Sequence, residues 1–159
     1  MSAALCLSPT TADDMMLYFQ WVNDPAVRAG AFQSEMIDIA THHIWFARAI
    51  ADKNVRMWVL LANGAPVGQV RLTFESVGEK GTFEKSVALI DYSVAAEQRG
   101  HGYGREMLAL MECEVPQGMI LVGQVKEENV SSRRTFIALG YAETRMADCA
   151  FWEYRKHVT

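Results

Sequence analysis

Cysteine is scarce in this sequence, and long apolar runs and an excess of basic residues are missing. The three cysteines, Cys6, Cys113 and Cys149, lie far apart and form no CxxC pair, which favours a reducing compartment over a disulfide framework. No run of about 18 apolar residues occurs, so we expect no transmembrane helix. With 15 basic and 19 acidic residues the net charge is −4, so bulk charge predicts no attraction to nucleic acid or anionic membranes.

The N-terminal residues do not resemble a secretory leader. They contain neither a basic nor an apolar region, and Pro9, Asp13 and Asp14 follow at once. We therefore expect a cytoplasmic protein. At about 150 residues per domain, the 159 residues predict a single domain over 1–159, and an apolar content of 50% argues against disorder.

Hydrophobic periodicity predicts strands that alternate with helices. The predicted strands are residues 3–7, 56–62, 67–74, 86–94 and 119–125, with one or two more in 141–157. The predicted helices are residues 10–22, 38–51, 102–115 and 129–139, and a long polar turn is predicted at 75–85. This order favours an α/β (α+β) fold, in which about four helices flank a mixed, mostly antiparallel sheet of six or seven strands.

Turn and cap residues mark several of these boundaries. Thr10 or Thr11 can cap the first helix, and Asn23-Asp24-Pro25 is expected to stop it. Asn63-Gly64 is a strong hairpin signal, and Gly140 occupies the usual position after a helix. For the second helix, helical spacing predicts an apolar face made by Ile39, His43, Phe46 and Ile50.

A glycine-rich turn joins the predicted strand 86–94 to the helix that follows it. Gly100, Gly102 and Gly104 alternate there after Arg99. Backbone N–H groups in such a turn, with the positive end of the helix dipole, form an anion site suited to a phosphate or pyrophosphate. Alternatively, the turn binds no anion and has glycines only because its backbone needs positive φ angles.

The glycine spacing excludes two common nucleotide motifs. Counting from Gly100, the third glycine of a dinucleotide-binding GxGxxG would fall at Arg105, and no GK[ST] of a P-loop is present. The spacing that fits is Arg99-x-x-Gly102-x-Gly104.

This pattern resembles the coenzyme A loop, [Q/R]-x-x-G-x-[G/A], of the GCN5-related N-acetyltransferases. Downstream, Asn129 opens a predicted helix that ends at Gly140-Tyr141, which is similar to the second signature of that family. Two motifs in the family's order are more specific than either alone, and the resemblance covers most of the chain. It implies acetyl-CoA as co-substrate and direct acetyl transfer to a primary amine.

The resemblance also implies which residues contact the coenzyme. Ser93 and Val94 would offer backbone groups to the pantetheine arm where the strand separates from its neighbour. Asn129 and Ser132 would lie along the pantetheine and diphosphate, and Arg133 or Arg134 would meet the 3′-phosphate. Alternatively, Asn129 only caps the helix, and Ser132 and the two arginines lie on a solvated face of it. The loop residues implied to hold the pyrophosphate are Arg99, Gly100, His101, Gly102, Tyr103 and Gly104.

Two positions depart from the family pattern. Phe136 stands beside the implied coenzyme where many members place a Tyr that protonates the leaving thiolate, and Ala88 stands where the histone-modifying branch has a glutamate base. Asp91, which interrupts an apolar strand, is one candidate proton acceptor, and Glu75 is another. No metal-ligand set or nucleophilic triad is recognised.

The N-terminal third carries the clues to the acceptor. It contains Trp21-Val-Asn-Asp-Pro-Ala-Val-Arg28 and His42-His-Ile-Trp45-Phe46. These stretches resemble the pseudaminic-acid branch of the superfamily, which acetylates nucleotide-linked amino sugars, and Trp-x-Asn-Asp-Pro also occurs in ribosomal-protein N-terminal acetyltransferases. We therefore expect a small-molecule amine partner, such as a sugar nucleotide, and the sequence is compatible with a homodimer. The alternative to an enzyme is a non-catalytic module that binds acyl-CoA. The candidate acceptor-binding residues are Trp21, Asn23, Arg28, Phe32 and Trp45.

Overall fold

The computed structural model describes residues 2–75, 87–147 and 150–159, and a seven-stranded sheet forms its centre. The spatial order of the strands is β1-β2-β3-β4-β5-β7-β6, and among the described pairs only β4 and β5 run parallel. The predicted mixed, mostly antiparallel sheet is therefore confirmed. The strands are β1 (Leu5–Pro9), β2 (Val55–Ala62), β3 (Ala65–Glu75), β4 (Val87–Val94), β5 (Ile120–Lys126), β6 (Ala142–Arg145) and β7 (Phe151–His157). The predicted turn lies outside the described residues apart from Glu75, as do Ser86 and Cys149.

The segment Asn23-Asp24-Pro25 ends one helix and begins another. Thr11 caps a 3-10 turn, Ala12–Asp14, that leads into α1 (Met15–Val22). A further helix, α2 (Pro25–Gly30), then starts, and the Asp24 side chain accepts hydrogen bonds from the two N–H groups that follow Pro25. Proline suits this position because its missing N–H would have no partner in a first helical turn. The sequence predicted the stop but not the restart, so the described chain has five α-helices rather than about four.

The third helix, α3 (Ile39–Ala51), buries a different face from the one predicted. Asp38 caps it by accepting the Thr41 N–H at 2.8 Å. His42, Phe46 and Ala49 are buried, whereas the predicted His43 is exposed. Positions 42, 46 and 49 follow helical spacing, and their stripe packs on the aromatic side chains of α1.

The turn between β2 and β3 fixes the register of the central strands. Asn63 and Gly64 have φ angles of 50° and 82°, both in the left-handed region that a two-residue hairpin requires, which confirms the predicted hairpin. In the β3–β4 ladder, Gln69 lies opposite Ser93 and Arg71 opposite Asp91, while Tyr92 faces Val70. Since alternate residues share a face, these four polar side chains lie on one face of the sheet and Tyr92 on the other.

Helices cover both faces of the sheet and bury two separate cores. The helices α4 (Tyr103–Glu112) and α5 (Val130–Ala138) cover the Tyr92 face, where Met107 and Phe136 pack among the strands. The helices α1 and α3 cover the opposite face, where Tyr18 and Phe46 pack on β2. The glycine-rich turn therefore leads into the helices on one face of the sheet, and the N-terminal third of the chain supplies the helices on the other face.

The strands β4 and β5 separate soon after they begin to pair. Their ladder joins only residues 87–89 to residues 120–122, although β4 continues to Val94 and β5 to Lys126. Each strand keeps its other partner to its end, β4 through β3 and β5 through β7. The backbone groups that would have continued the β4–β5 ladder therefore face a gap in the middle of the sheet.

Three further features of the described residues bear on function. None of their helices combines the length and the apolar character needed to cross a membrane. Cys6 and Cys113 are exposed free thiols. Within residues 2–75, 87–147 and 150–159, no group of three or more His, Cys, Asp or Glu side chains is placed to hold a metal ion.

Candidate functional site

A cleft of about 820 Å³ opens where β4 and β5 separate. Its lining comes from both faces of the sheet. On one face it is lined by Tyr92, the start of α4 and the first turns of α5. On the other face it is lined by Asp91 and by side chains from α1 and α3. The gap between the strands therefore connects two half-sites.

The turn before α4 forms one end of this cleft. Gly100 and Gly102 have φ angles of 84° and 77°, a conformation that favours glycine. Gly102 caps α4 without a side chain, and the backbone N–H groups of residues 100–105 find no acceptor in the described part of the chain. Free N–H groups at the positive end of a helix suit an anion such as pyrophosphate.

The Arg99 side chain joins this turn to α2. Its guanidinium lies 2.7 Å from an Asp24 carboxylate oxygen, and the hydrogen bond lowers the pKa of Asp24. Arg99 still lines the cleft. The sequence motif therefore includes a contact that fixes the turn against the N-terminal third of the chain, in addition to any role with a bound anion.

Gly104 allows a close approach between α4 and β4. A Cβ atom there would lie 3.2 Å from Cε2 of Tyr92, so the glycine makes room for this ring. Tyr103 lines the cleft. His101 is exposed and packs beside Tyr103, and it lies outside the cleft lining.

The first turn of α5 reaches the cleft through Asn129 and Ser132. Asn129 caps the helix, since its side-chain oxygen accepts the Ser132 N–H at 3.3 Å. The cap role that the sequence left open is therefore present. The Ser132 hydroxyl lies 2.8 Å from the Tyr92 hydroxyl, which ties α5 to β4 across the cleft wall.

Phe136 and Arg133 have different positions on α5. Phe136 lines the cleft and is buried among aromatic rings, stacked on Tyr154 at 5.2 Å between centroids. Arg133 lies outside the cleft lining, because its side chain bonds to the Tyr154 hydroxyl, pairs with Glu143 at 3.6 Å and covers the Trp152 ring. It is thus engaged in the packing of the C-terminal strands and not directed at the cleft.

Four polar side chains meet on the opposite face of the sheet. The Gln69 side-chain amide donates to Asp91 at 3.2 Å and to Ser93 at 3.1 Å, and Gln69 itself is buried. Arg71 lies 3.9 Å from Asp91 and 5.0 Å from the centre of the Trp45 ring. Asp91 is 56% exposed, so it combines fixed neighbours with an open side towards the cleft.

The other acceptor candidates divide into lining and non-lining residues. Trp21 and Arg28 line the cleft, and Arg28 is held by hydrogen bonds to the backbone carbonyls of Val22 and Gln33. Asn23 lines a smaller adjoining pocket, and both of its side-chain polar atoms bond to the Ile37 backbone. Phe32 is 58% exposed and packs on Phe151, outside the cleft lining.

Glu75 does not reach the site. It ends β3 opposite Val87, whereas the cleft-lining residues nearest to it on these two strands are Arg71 on β3 and Ile90 on β4. Four residues of strand separate Arg71 from Glu75, a distance of about 13 Å at the usual rise per residue. Glu75 therefore lies at the wrong end of the strand for proton transfer in the cleft.

Sequence analysis did not single out Gln69, Arg71, Tyr92 or His42, which all line the cleft. His42 is buried against Phe46, its ring contacts the Met15 carbonyl oxygen, and burial lowers its pKa. The polar residues of β3 carried a usable signal, since they alternate with Val70 and Leu72. Which of them would face Asp91 depended on the strand register.

Comparison with known proteins identifies the family. Residues 4–142 match the family model described as an acetyltransferase (GNAT) domain. The chain therefore belongs to the GNAT acetyltransferases, and it is an acyltransferase with acetyl-CoA as co-substrate. None of the curated proteins compared with the sequence matches it.

Solved structures share the fold at low identity. An acetyltransferase from Thermus thermophilus has a TM-score of 0.78 and 19% identity, covering 99% of both chains. The enzyme AAC(6')-Ib, solved with ribostamycin and coenzyme A, has a TM-score of 0.76 and 16% identity, covering 97% of this chain and 93% of its own. A ribosomal-protein-alanine N-acetyltransferase from Brucella melitensis has a TM-score of 0.73 and 20% identity, covering 96% and 99%. At these identities the similarity shows the fold alone.

Proposed function

We propose that the protein transfers the acetyl group of acetyl-CoA directly to the primary amine of a nucleotide-linked amino sugar. The observation that carries this proposal is the cleft that reaches both faces of the sheet through the β4–β5 gap. Direct transfer needs two substrates whose reacting atoms meet, and two half-sites joined by a gap meet that need without a covalent enzyme intermediate.

The residues on the α4–α5 face fit coenzyme A. An extended arm with amide groups suits the gap beyond residue 89, where backbone groups of β4, including those of Ser93 and Val94, lack a partner strand. The N–H groups around Gly102 suit the pyrophosphate. Asn129 and Ser132 would lie along the arm, and Arg105, which also lines the cleft, would add positive charge near the phosphates.

Asp91 is the proposed acceptor of the amine proton. It lies beside the gap, and Gln69 and Arg71 hold its carboxylate without covering it. A positioned carboxylate within reach of the amine removes its proton as the new bond to the acyl carbon forms. Because the two half-sites already position the reactants, a strong base is not required.

The charges of the acceptor half-site favour a substrate that carries an anion. Arg28 and Arg71 line this half with Asp91, so arginine outnumbers carboxylate there although the whole chain has a net charge of −4. A diphosphate-linked sugar suits two guanidinium groups, and Trp21 and Trp45 offer rings for a base or a sugar. An aminoglycoside such as the one bound by AAC(6')-Ib carries several ammonium groups, which this charge pattern disfavours.

The test is thiol release from acetyl-CoA with matched acceptors: a nucleotide-linked 4-amino sugar, the same amino sugar without the nucleotide, an aminoglycoside and a peptide with a free N-terminus. We expect the highest kcat/KM with the nucleotide-linked sugar. Preference for the peptide would favour an N-terminal acetyltransferase. Coenzyme binding without turnover of any acceptor would favour the non-catalytic alternative.

Arg71→Gln tests the charge argument. Losing one charged hydrogen bond should raise KM for the nucleotide-linked sugar by about ten- to a hundredfold, with little change in KM for the sugar that lacks the nucleotide. Any loss of kcat through the contact of Arg71 with Asp91 should be the same for both acceptors. Arg56→Gln is the matched control, because Arg56 also lies over a tryptophan, Trp58, at 4.7 Å, but outside the cleft lining. Equal effects of both substitutions would contradict the anion-binding role of Arg71.

A further inference from the structure

Where many members of the family have a tyrosine that protonates the leaving thiolate, this chain has Phe136, whose side chain has no hydroxyl. Phe136 directs the tip of its ring at the backbone of β5, where a Cβ atom added to Gly123 would overlap Cζ of Phe136. A hydroxyl on that tip would extend towards Gly123 and away from the cleft. The leaving thiolate therefore receives no proton from position 136, and another residue or water has to supply it.

Tyr92 brings a hydroxyl to the same aromatic cluster from β4. Its ring lies edge-on against Phe136, with 5.9 Å between centroids, and it lines the cleft just beyond the point where β4 and β5 separate. Its hydroxyl lies 2.8 Å from Oγ of Ser132, one helical turn before Phe136 on α5. Gly104 leaves the room that this ring needs.

The other tyrosines that line the cleft are less well placed. Tyr18 lies on the acceptor side, and its hydroxyl donates to the Trp58 carbonyl oxygen and contacts Thr10. Tyr103 lies at the start of α4 beside His101, at the phosphate end. Tyr92 is bonded to a hydroxyl, a group that can both accept and donate a proton.

We propose that Tyr92 is the catalytic acid of the transfer, and that Ser132 positions it and resupplies its proton. This proposal rests on the proposed placement of coenzyme A along the α4–α5 face. As the amine nitrogen bonds to the acyl carbon, the C–S bond breaks and its electron pair goes to sulfur. The Tyr92 proton passes to sulfur, and the phenolic oxygen regains a proton from Ser132, which takes one from water. The amine proton passes to Asp91 and from there to water, which balances the proton that Ser132 takes up, so the products are the amide and free coenzyme A.

Tyr92 is protonated at neutral pH, as tyrosines ordinarily are, and burial raises its pKa further, so its hydroxyl is a weaker acid than a free tyrosine. Burial also makes a free phenolate costly, so the two proton movements are expected to occur together. The Ser132 hydroxyl can return a proton to the Tyr92 oxygen while the Tyr92 proton moves to sulfur, so no free phenolate has to form.

The decisive experiment measures the thiol pKa of bound coenzyme A, from the ultraviolet absorbance of the thiolate, in the wild type and in Tyr92→Phe. A hydroxyl that donates to the sulfur stabilises the thiolate, so Tyr92→Phe should weaken the acidity of the bound thiol by roughly ten- to a hundredfold. Coenzyme affinity at neutral pH should change little, and kcat should fall by about a hundredfold or more. Ser132→Ala should shift the thiol pKa in the same direction by less.

Tyr141→Phe is the matched control. Tyr141 packs against the same Phe136 ring at 4.9 Å between centroids and lies outside the cleft lining, so its substitution should leave the thiol pKa unchanged. An unchanged thiol pKa in folded Tyr92→Phe would overturn the proposal. So would a coenzyme affinity weakened equally at every pH, which would indicate a packing role. If coenzyme A did not bind the wild type, the cleft assignment would fail first and this proposal with it.

Discussion

Gly102→Val perturbs the turn before α4 at the position where backbone geometry matters most. Gly102 has a φ of 77°, and a non-glycine residue in this region costs about 1–2 kcal/mol, and more for a β-branched side chain. No atom lies within 4 Å of a Cβ built there, so the added atoms meet open space and the fold should survive. That open space is where we place the pyrophosphate. Losing one or two charged hydrogen bonds should raise the Kd for coenzyme A by about ten- to a thousandfold.

Gly118→Val separates backbone strain from ligand binding. Gly118 has a φ of 89° and equally open surroundings, but it precedes β5 and lies outside the cleft lining. Both variants should lose similar thermal stability, while only Gly102→Val should lose coenzyme affinity, measured by isothermal titration calorimetry. Equal Kd values in the two variants would refute the assignment of the turn as the pyrophosphate site.

Two further predictions concern stability. Because Arg99 lowers the pKa of Asp24, the pair contributes stability above the ordinary carboxyl pKa of about 4, and this is lost as the pH falls through the lower folded value. The Tm difference between wild type and Asp24→Asn should therefore shrink from pH 7 to pH 3, and a constant difference would contradict the ion pair. Gly123→Ala should destabilise by about 1–3 kcal/mol, because the new Cβ overlaps Phe136; an unchanged Tm in thermal denaturation would show that the ring moves freely.

The order of secondary structure was largely readable from local signals. Asn63-Gly64 predicted the hairpin because its left-handed φ angles suit few other residue pairs, and Gly140, with a φ of 85°, lies just after α5 as predicted. The predictions were wrong where one sequence pattern is compatible with two structures. Asp24-Pro25 stops a helix and also starts one, and the sequence does not say whether the chain resumes. The inward face of α3 was misread because isoleucines on its exposed side have the same spacing as a core stripe.

The candidate site was predictable where backbone groups form it. The glycine pattern before α4 fixed a turn with free N–H groups, since glycine at positive φ and a helix start are local properties. Side-chain roles were less predictable. Arg133 and Glu75 have suitable chemistry, but one packs against Trp152 and the other ends the far side of β3.

The sequence by itself determined most of the elements, the glycine-rich turn before α4 and the resemblance to the family, because caps, turns and periodicity act over a few neighbouring residues. Only the tertiary structure decided which side chains meet across the gap. Tyr92 contacts Ser132, and Arg71 lies opposite Asp91, through strand register and helix packing between residues 20 to 40 positions apart. Such contacts depend on the assembled sheet and the helices packed on it, and no local pattern in the chain encodes them.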